Sequence, residues 1–315
     1  MPPTLQLSDL KVHPPKKQAF TIETDPVFPK QHSLNCFSGK RGSGKSCACA
    51  NQIRIAKDRG YYHRVWLICG TYESNREIWE GIAGIEPEDV ILPTKNAFAE
   101  AVRRLEEEKH MWDVYQSQMK HWKENNKLET KETQFFKKLD DTSREMNFFG
   151  KLAQKPVSLD LSKPKWPYKG KPCPPRCCVI LDDCMGEDIV VLPSAKLTKW
   201  LIAHRHWAGG LGISVYMLLQ SYASRESLPR PIREQVTVLC LFHMSQIEQI
   251  KKVWTEADLP GFSFDAFLAM FRFATEQPHS FLTIDFSPKE EYMRYRRNMD
   301  YFIDPAPYIK MFPLK

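Results

Sequence analysis

Between Phe37 and Cys47 the chain reads FSGKRGSGKSC, with three glycines set around a Lys-Ser pair. Gly39-x-x-x-x-Gly44-Lys45-Ser46 matches a phosphate-binding loop. Glycines let successive backbone N–H groups curl around phosphate oxygens, the lysine reaches the β and γ phosphates, and the serine hydroxyl coordinates Mg²⁺. The candidate nucleotide-binding residues are therefore Gly39, Lys40, Arg41, Gly42, Ser43, Gly44, Lys45, Ser46 and Cys47, with ATP and Mg²⁺ as the expected ligands. A triphosphate site also needs a carboxylate on the metal shell, held at the carboxyl end of a neighbouring strand. CCVILDD, ending at Asp183, has that form: Asp182 binds the Mg²⁺ through water, and Asp183 polarises the water that attacks the γ-phosphate. Nucleotide kinases use a similar acidic residue, so the pair leaves hydrolysis and phosphoryl transfer both open. Gln220 ends the apolar run GISVYMLLQ, where a side chain can hydrogen-bond the γ-phosphate or its attacking water. Arg205, in AHRH, either balances the end of its own helix or reaches the nucleotide of a neighbouring subunit.

These residues need a scaffold of strands that end on one side. The sequence predicts a strand over 32–37, the glycine loop, and a helix from KSCACANQIRIAKDR that stops at Gly60. A second strand, RVWLIC at 64–69, follows closely enough for a right-handed parallel crossover. Further strands are expected over 177–181, 213–219 and 237–242, with a helix from Ser194 to near Gly209-Gly210 and a final hairpin made of FRFAT and SFLTIDF. The expected fold class is α/β with a mostly parallel central sheet. Residues 1–30, with Pro2, Pro3, Pro14, Pro15, Pro26 and Pro29, read as an extended arm, and 31–315 as one domain. Within it, 97–175 reads as an insertion: Phe98, Val102, Leu105, Trp112 and Met119 mark an amphipathic helix over 97–124, followed by polar residues and a Pro-rich return.

Composition bounds the function classes more loosely. The 315 residues, 42% of them hydrophobic, suffice for a large core, which argues against disorder. Forty-five basic against 38 acidic residues give a net charge of +7, a mild bias toward polyanionic partners. No apolar run is long enough to span a bilayer and the first residues lack a signal-peptide core, so a soluble intracellular protein is expected. The nine cysteines lie mostly in apolar runs, as reduced core residues do. Cys173, Cys177, Cys178 and Cys184 do not make a zinc site, because adjacent strand residues point to opposite faces.

The order GKRGSGKS, CCVILDD, LIAHRHWAGGLGISVYMLLQS, LPRPIREQVTVLCLF resembles viral genome-packaging ATPases of the poxvirus type, in the FtsK–HerA superfamily of P-loop NTPases. The resemblance covers about residues 30–290, with its specificity in the four motif blocks. It implies a RecA-like sheet, a homo-oligomeric ring and ATP-driven translocation of double-stranded DNA. It also implies a capsid or vertex protein as partner, and a host-cell assembly site and the virion as locations. By match to the blocks, Lys45 and Ser46 take the loop roles, Asp182 and Asp183 the acidic pair, Gln220 the sensor, and Arg205 or Arg233 the subunit-bridging arginine. Two departures stand out. Motors of this kind carry Asp-Glu where this chain has Asp182-Asp183, and the 97–175 insertion has no counterpart in the superfamily core. Tyr222 and Arg225, just beyond Gln220, are candidate DNA contacts that can couple phosphate loss to movement, and the arginines of MRYRRNMDYF are a second basic candidate. Two other functions compete: a P-loop kinase of a small molecule, with Arg103, Arg104 and Arg144 of the insertion supplying a lid, and an ATP-dependent DNA-binding switch.

Overall fold

Runs such as CCVILD and SVYMLL are apolar at every position, which suits strands buried on both faces. The computed structural model describes residues 22–146, 162–184, 194–222, 228–257, 259 and 261–314, and it places these runs at the centre of a large sheet. The strands are β1 (Leu34–Ser38), β2 (Arg64–Cys69), β3 (Val90–Ile91), β4 (Cys177–Asp182), β5 (Ser214–Leu219), β6 (Val238–Phe242), β7 (Phe281–Asp285), β8 (Tyr295–Arg297) and β9 (Tyr301–Phe302). Among the described residues they form one 9-stranded sheet in the order β3-β2-β4-β5-β1-β6-β7-β8-β9. The first six positions run parallel, and β7, β8 and β9 continue antiparallel. The fold is thus mixed α/β with a mostly parallel sheet, consistent with the RecA-like expectation. β2 runs parallel to β1 as the crossover predicts, but β5 and β4 stand between them.

Alternation along each strand splits the core into two layers. Phe37, Leu67, Ile180 and Leu218 face α1 (Lys45–Asp58), which contributes Cys49, Ile53 and Ala56. Cys36, Ile68, Val179 and Met217 face the other layer, covered by α2 (Ala97–Met146), α3 (Ser194–Ala203), α4 (Ile247–Ala257) and α5 (Phe264–Ala274). Among the described residues, α2 reaches this core through its first turns, at Ala97, Ala101 and Leu105, with Phe98 stacked on Trp200 of α3 at 4.5 Å. The helix runs on to Met146, well past the expected end near 124. Further along, Trp112 and Tyr115 pack against Trp166 of the returning segment, and Tyr168 stacks on His63 at 4.7 Å. The 1–30 arm is described only from Ile22.

Three expectations need correction. FRFAT is not a strand: it ends α5, where Phe264, Phe267 and Phe271 recur at three and four residues and bury one helical face. The C-terminal hairpin is instead β7 with β8. The helix from Ser194 stops at Ala203 rather than at Gly209-Gly210: a turn over 204–206 follows it, with the buried ring of His204 set between the carbonyls of Leu201 and His32, and Ala208 (φ 50°) and Gly209 (φ 64°) further on are left-handed. Two of the three arginines of MRYRRNMDYF are engaged within the fold, and the third, Arg294, pairs with Glu291. Arg296 is fully buried and donates to the carbonyls of Pro26 and Met293, pinning the end of the N-terminal arm, while Arg297 lies over the ring of Phe273.

Candidate active site

The carboxyl ends of β1, β4 and β5 meet on one edge of the sheet, so whatever follows them is gathered there. After β1 the chain makes the glycine loop and enters α1. The loop packs so closely on β6 that a Cβ at Gly39 would lie 2.6 Å from that of Phe242. Gly44 is the N-cap at φ 96°, a left-handed backbone that favours glycine. α1 starts with no side-chain cap and no acidic residue in its first turn. Its first N–H groups therefore have neither a capping side chain nor a carboxylate to balance the positive end of the helix, which suits an anion. Among the described residues, the buried hydroxyl of Ser43 also has no hydrogen-bond partner.

Lys45 is almost buried, with Nζ donating to the carbonyls of Gly39 at 2.7 Å and Lys40 at 2.9 Å. Burial lowers its pKa, and the nearby charges of Asp182 and Asp183 oppose that shift. Two of its three N–H groups are thus used by the loop, leaving one for a ligand. Ser46 Oγ donates to Asp182 Oδ2 at 3.2 Å, so the hydroxyl and the carboxylate assigned to the metal lie side by side. Both are oxygen donors, the kind Mg²⁺ takes, and burial pushes the Asp182 carboxyl up to about 6, with Asp183 adding to the shift against Ser46, Lys45 and Trp79. A buried carboxylate whose charge is so weakly compensated fits a divalent cation.

Asp183 follows at φ 52°, a left-handed conformation that Asp tolerates better than most residues. Gln220, after β5, donates from Nε2 to Asp183 Oδ1 at 3.0 Å. Gly44, Lys45, Ser46, Asp182, Asp183 and Gln220 line one cavity of about 870 Å³, which also takes in Arg41, Cys47, Asn51, Thr71, Asn75 and His279.

Two functional candidates were not legible in the sequence. Trp79, fully buried in a π-helical turn (Glu77–Ile82), donates its indole N–H to Asp182 Oδ2 at 3.2 Å. Nothing in EIWEGI announces this, since the contact spans 103 positions. His279 belongs to a segment that sequence reads as a hairpin turn, yet it lines the cavity against the loop.

The remaining assignments fare differently. Arg205 is exposed and lies in the turn after α3, where its carbonyl faces Gly212, two residues before β5 begins. That is the amino edge of the sheet, opposite the cavity. Arg233 is not free to bridge subunits: its guanidinium forms two hydrogen bonds to Glu256, at 2.8 and 2.7 Å, with both side chains nearly buried. It also lies 5.6 Å from the ring centroid of Tyr222. Tyr222 is 3% exposed and so presents no ring to DNA, while Arg225 lies outside the described residues. Arg103 and Arg104 pair with Glu100 on α2, across the sheet from α1, and do not form a lid over the loop; the side chain of Arg144 lies outside the described residues.

No family model matches the chain, and no curated protein sequence matches it. Solved structures with a similar chain path include the genome packaging NTPase B204 of Sulfolobus turreted icosahedral virus 2 in complex with ATP-γ-S, at 11% identity and TM-score 0.40, covering 86% of this chain and 98% of that one. Another is the monomer form of the pCW3 conjugation coupling protein TcpA with ATP-γ-S, at 12% identity and TM-score 0.40, covering 94% and 71%. ATPases 2 and 3 of EssC from Geobacillus thermodenitrificans match at 13% identity and TM-score 0.40, covering 89% and 43%. Likeness this distant says nothing about chemistry, which rests on the residues. Among the described residues, no helix is long and apolar enough to cross a membrane.

Proposed function

We propose that the chain is an ATP-hydrolysing motor that moves double-stranded DNA, as in the packaging of a viral genome. The observation that carries the ATPase half is the uncapped start of α1, with Lys45 buried in the loop and Ser46 bonded to Asp182 beneath it. In this reading the loop N–H groups and Lys45 hold the β and γ phosphates. Ser46 and Asp182 hold Mg²⁺, which when bound neutralises charge on those phosphates. Asp183 accepts a proton from the attacking water, and Gln220 orients Asp183 and senses the γ-phosphate.

The DNA half rests on the order of the four motif blocks rather than on a DNA-contacting surface. A homo-oligomeric ring and a capsid or vertex partner follow from the same resemblance. Against the kinase alternative, two of its three lid arginines, Arg103 and Arg104, pair with Glu100 on the far face of the sheet.

ATP turnover by the full chain, with and without duplex DNA at several salt concentrations, tests both halves. The motor reading expects Mg²⁺-dependent hydrolysis that rises with DNA, less so at high salt, and that Lys45→Ala abolishes. Hydrolysis that survives Lys45→Ala overturns the site. Transfer of phosphate to a metabolite with no response to DNA overturns the motor. A switch that uses ATP only to assemble would hydrolyse ATP but fail to displace a roadblock along DNA.

A further inference from the structure

The cavity has an acidic end, and the chemistry above leaves its other end unused. Asp182 ends β4, Asp183 follows it and Gln220 follows β5, while His279 sits in the turn that leads into β7. In the sheet order β4-β5-β1-β6-β7, the loop after β1 lies between these two ends. A triphosphate whose terminal group faces Asp183 and Gln220 must leave the loop on the side away from them, which is where His279 stands. Thr71 and Asn75 follow β2 and lie beyond Asp182, on the terminal-phosphate side.

His279 is set against the loop itself. A Cβ built on Gly44 would lie 3.2 Å from its Nδ1 and 3.3 Å from its Cβ. Nδ1 is 3.3 Å from the carbonyl oxygen of Ser43, which can only accept, so this nitrogen carries the proton. The ring is exposed to the cavity even though its backbone holds φ 64°, where glycine would be less strained. On α1, Asn51 faces the same space and donates to the carbonyl of Cys47 one turn earlier.

We propose that His279 binds the nucleoside end of the triphosphate, its imidazole stacking on the base, with Asn51 beside it as a polar contact to base or ribose. The inference rests on the cavity being a triphosphate site. It makes the turn before β7 the element that distinguishes a nucleotide from a bare phosphate chain.

Calorimetric titration of the full chain with MgATP and with magnesium tripolyphosphate separates the two ends. His279→Gly removes the ring in a residue that favours this backbone, and His279→Phe keeps an aromatic plane. Base stacking on a side chain implies that His279→Gly weakens ATP on the order of 10-fold to 100-fold while tripolyphosphate changes by less than about 2-fold. His279→Phe should retain most of the ATP affinity. Unchanged ATP affinity in His279→Gly overturns the proposal. So does an equal loss for both ligands, which would mean that the ring only props the loop through Ser43. Wild-type protein that binds neither ligand would instead sink the triphosphate reading on which the inference stands.

Discussion

Asp182 is held by two donors whose origins differ completely: Ser46 from the loop and Trp79 from a turn packed under α1. Burial disfavours the carboxylate, so each donor matters to keeping its charge. Trp79→Phe keeps an aromatic ring in the core but deletes the N–H. It should raise the Asp182 pKa further, cost about 1–3 kcal/mol of stability, and raise the Mg²⁺ concentration needed for half-maximal turnover. Denaturant midpoints and a Mg²⁺ titration of ATPase activity check this, and an unchanged Mg²⁺ requirement would remove Trp79 from the site. Asp183 invites a cleaner substitution. Asn tolerates the left-handed backbone at φ 52° as Asp does, so Asp183→Asn isolates the charge. ATP affinity should stay within about 3-fold while turnover falls on the order of 10²-fold to 10⁴-fold, the usual cost of losing a general base. Loss of binding as severe as loss of turnover would make Asp183 structural.

Elements expose the limit of reading a sequence. The glycine loop and CCVILDD are legible because their chemistry depends on local spacing and on apolar runs that declare buried strands. The helical nature of FDAFLAMFRFA is harder to see, since phenylalanines suit strands and only the 264, 267, 271 spacing argues otherwise. Arg233 looks like a free arginine before a strand until α4 brings Glu256 to it; Arg233→Ala should therefore destabilise the fold by about 3–5 kcal/mol by stranding a nearly buried carboxylate. A melting curve distinguishes that outcome from a purely catalytic loss. The insertion's return is docked by a similar tertiary contact. Both ring nitrogens of His63 face donors of Arg176, its backbone N–H at 3.1 Å and its guanidinium at 2.9 Å, so an added proton finds no acceptor. Burial, with the charge of Arg176 adding to it, holds His63 down to about 4. Between that value and the unfolded pKa near 6.5 the unfolded chain binds the extra proton, so this contribution is full above about 6.5 and is lost as pH falls toward 4. Urea midpoints measured from pH 7 to pH 5 should fall, and His63→Gln should flatten that slope. An identical slope in the variant would assign the acid sensitivity elsewhere, with His32, also lowered to about 4 by burial, the next candidate.

At the scale of the whole molecule, the position of Arg205 decides what it can do. Its carbonyl lies against Gly212 at the amino edge of the sheet, whereas Gln220 and the cavity lie past the carboxyl end of β5. Six strand residues at about 3.3 Å each separate those edges by roughly 20 Å, farther than an arginine side chain reaches. Arg205 therefore cannot touch the nucleotide of its own chain. The residue is exposed. If it acts in hydrolysis, it acts on a second copy, and turnover should rise more steeply than linearly with protein concentration. Arg205→Ala should reduce turnover on the order of 10³-fold with little change in ATP affinity, because the arginine meets only charge that develops during transfer. Complementation tests the trans geometry directly. Subunits carrying Arg205→Ala bring an intact loop, and subunits carrying Lys45→Ala bring an intact Arg205, so mixed oligomers should regain activity that neither parent has. Arg233→Ala cannot substitute in that experiment, since its loss weakens the fold that every subunit needs. Mixed oligomers that assemble, as shown by mass in solution, yet stay as inactive as both parents would exclude Arg205 from the neighbouring site.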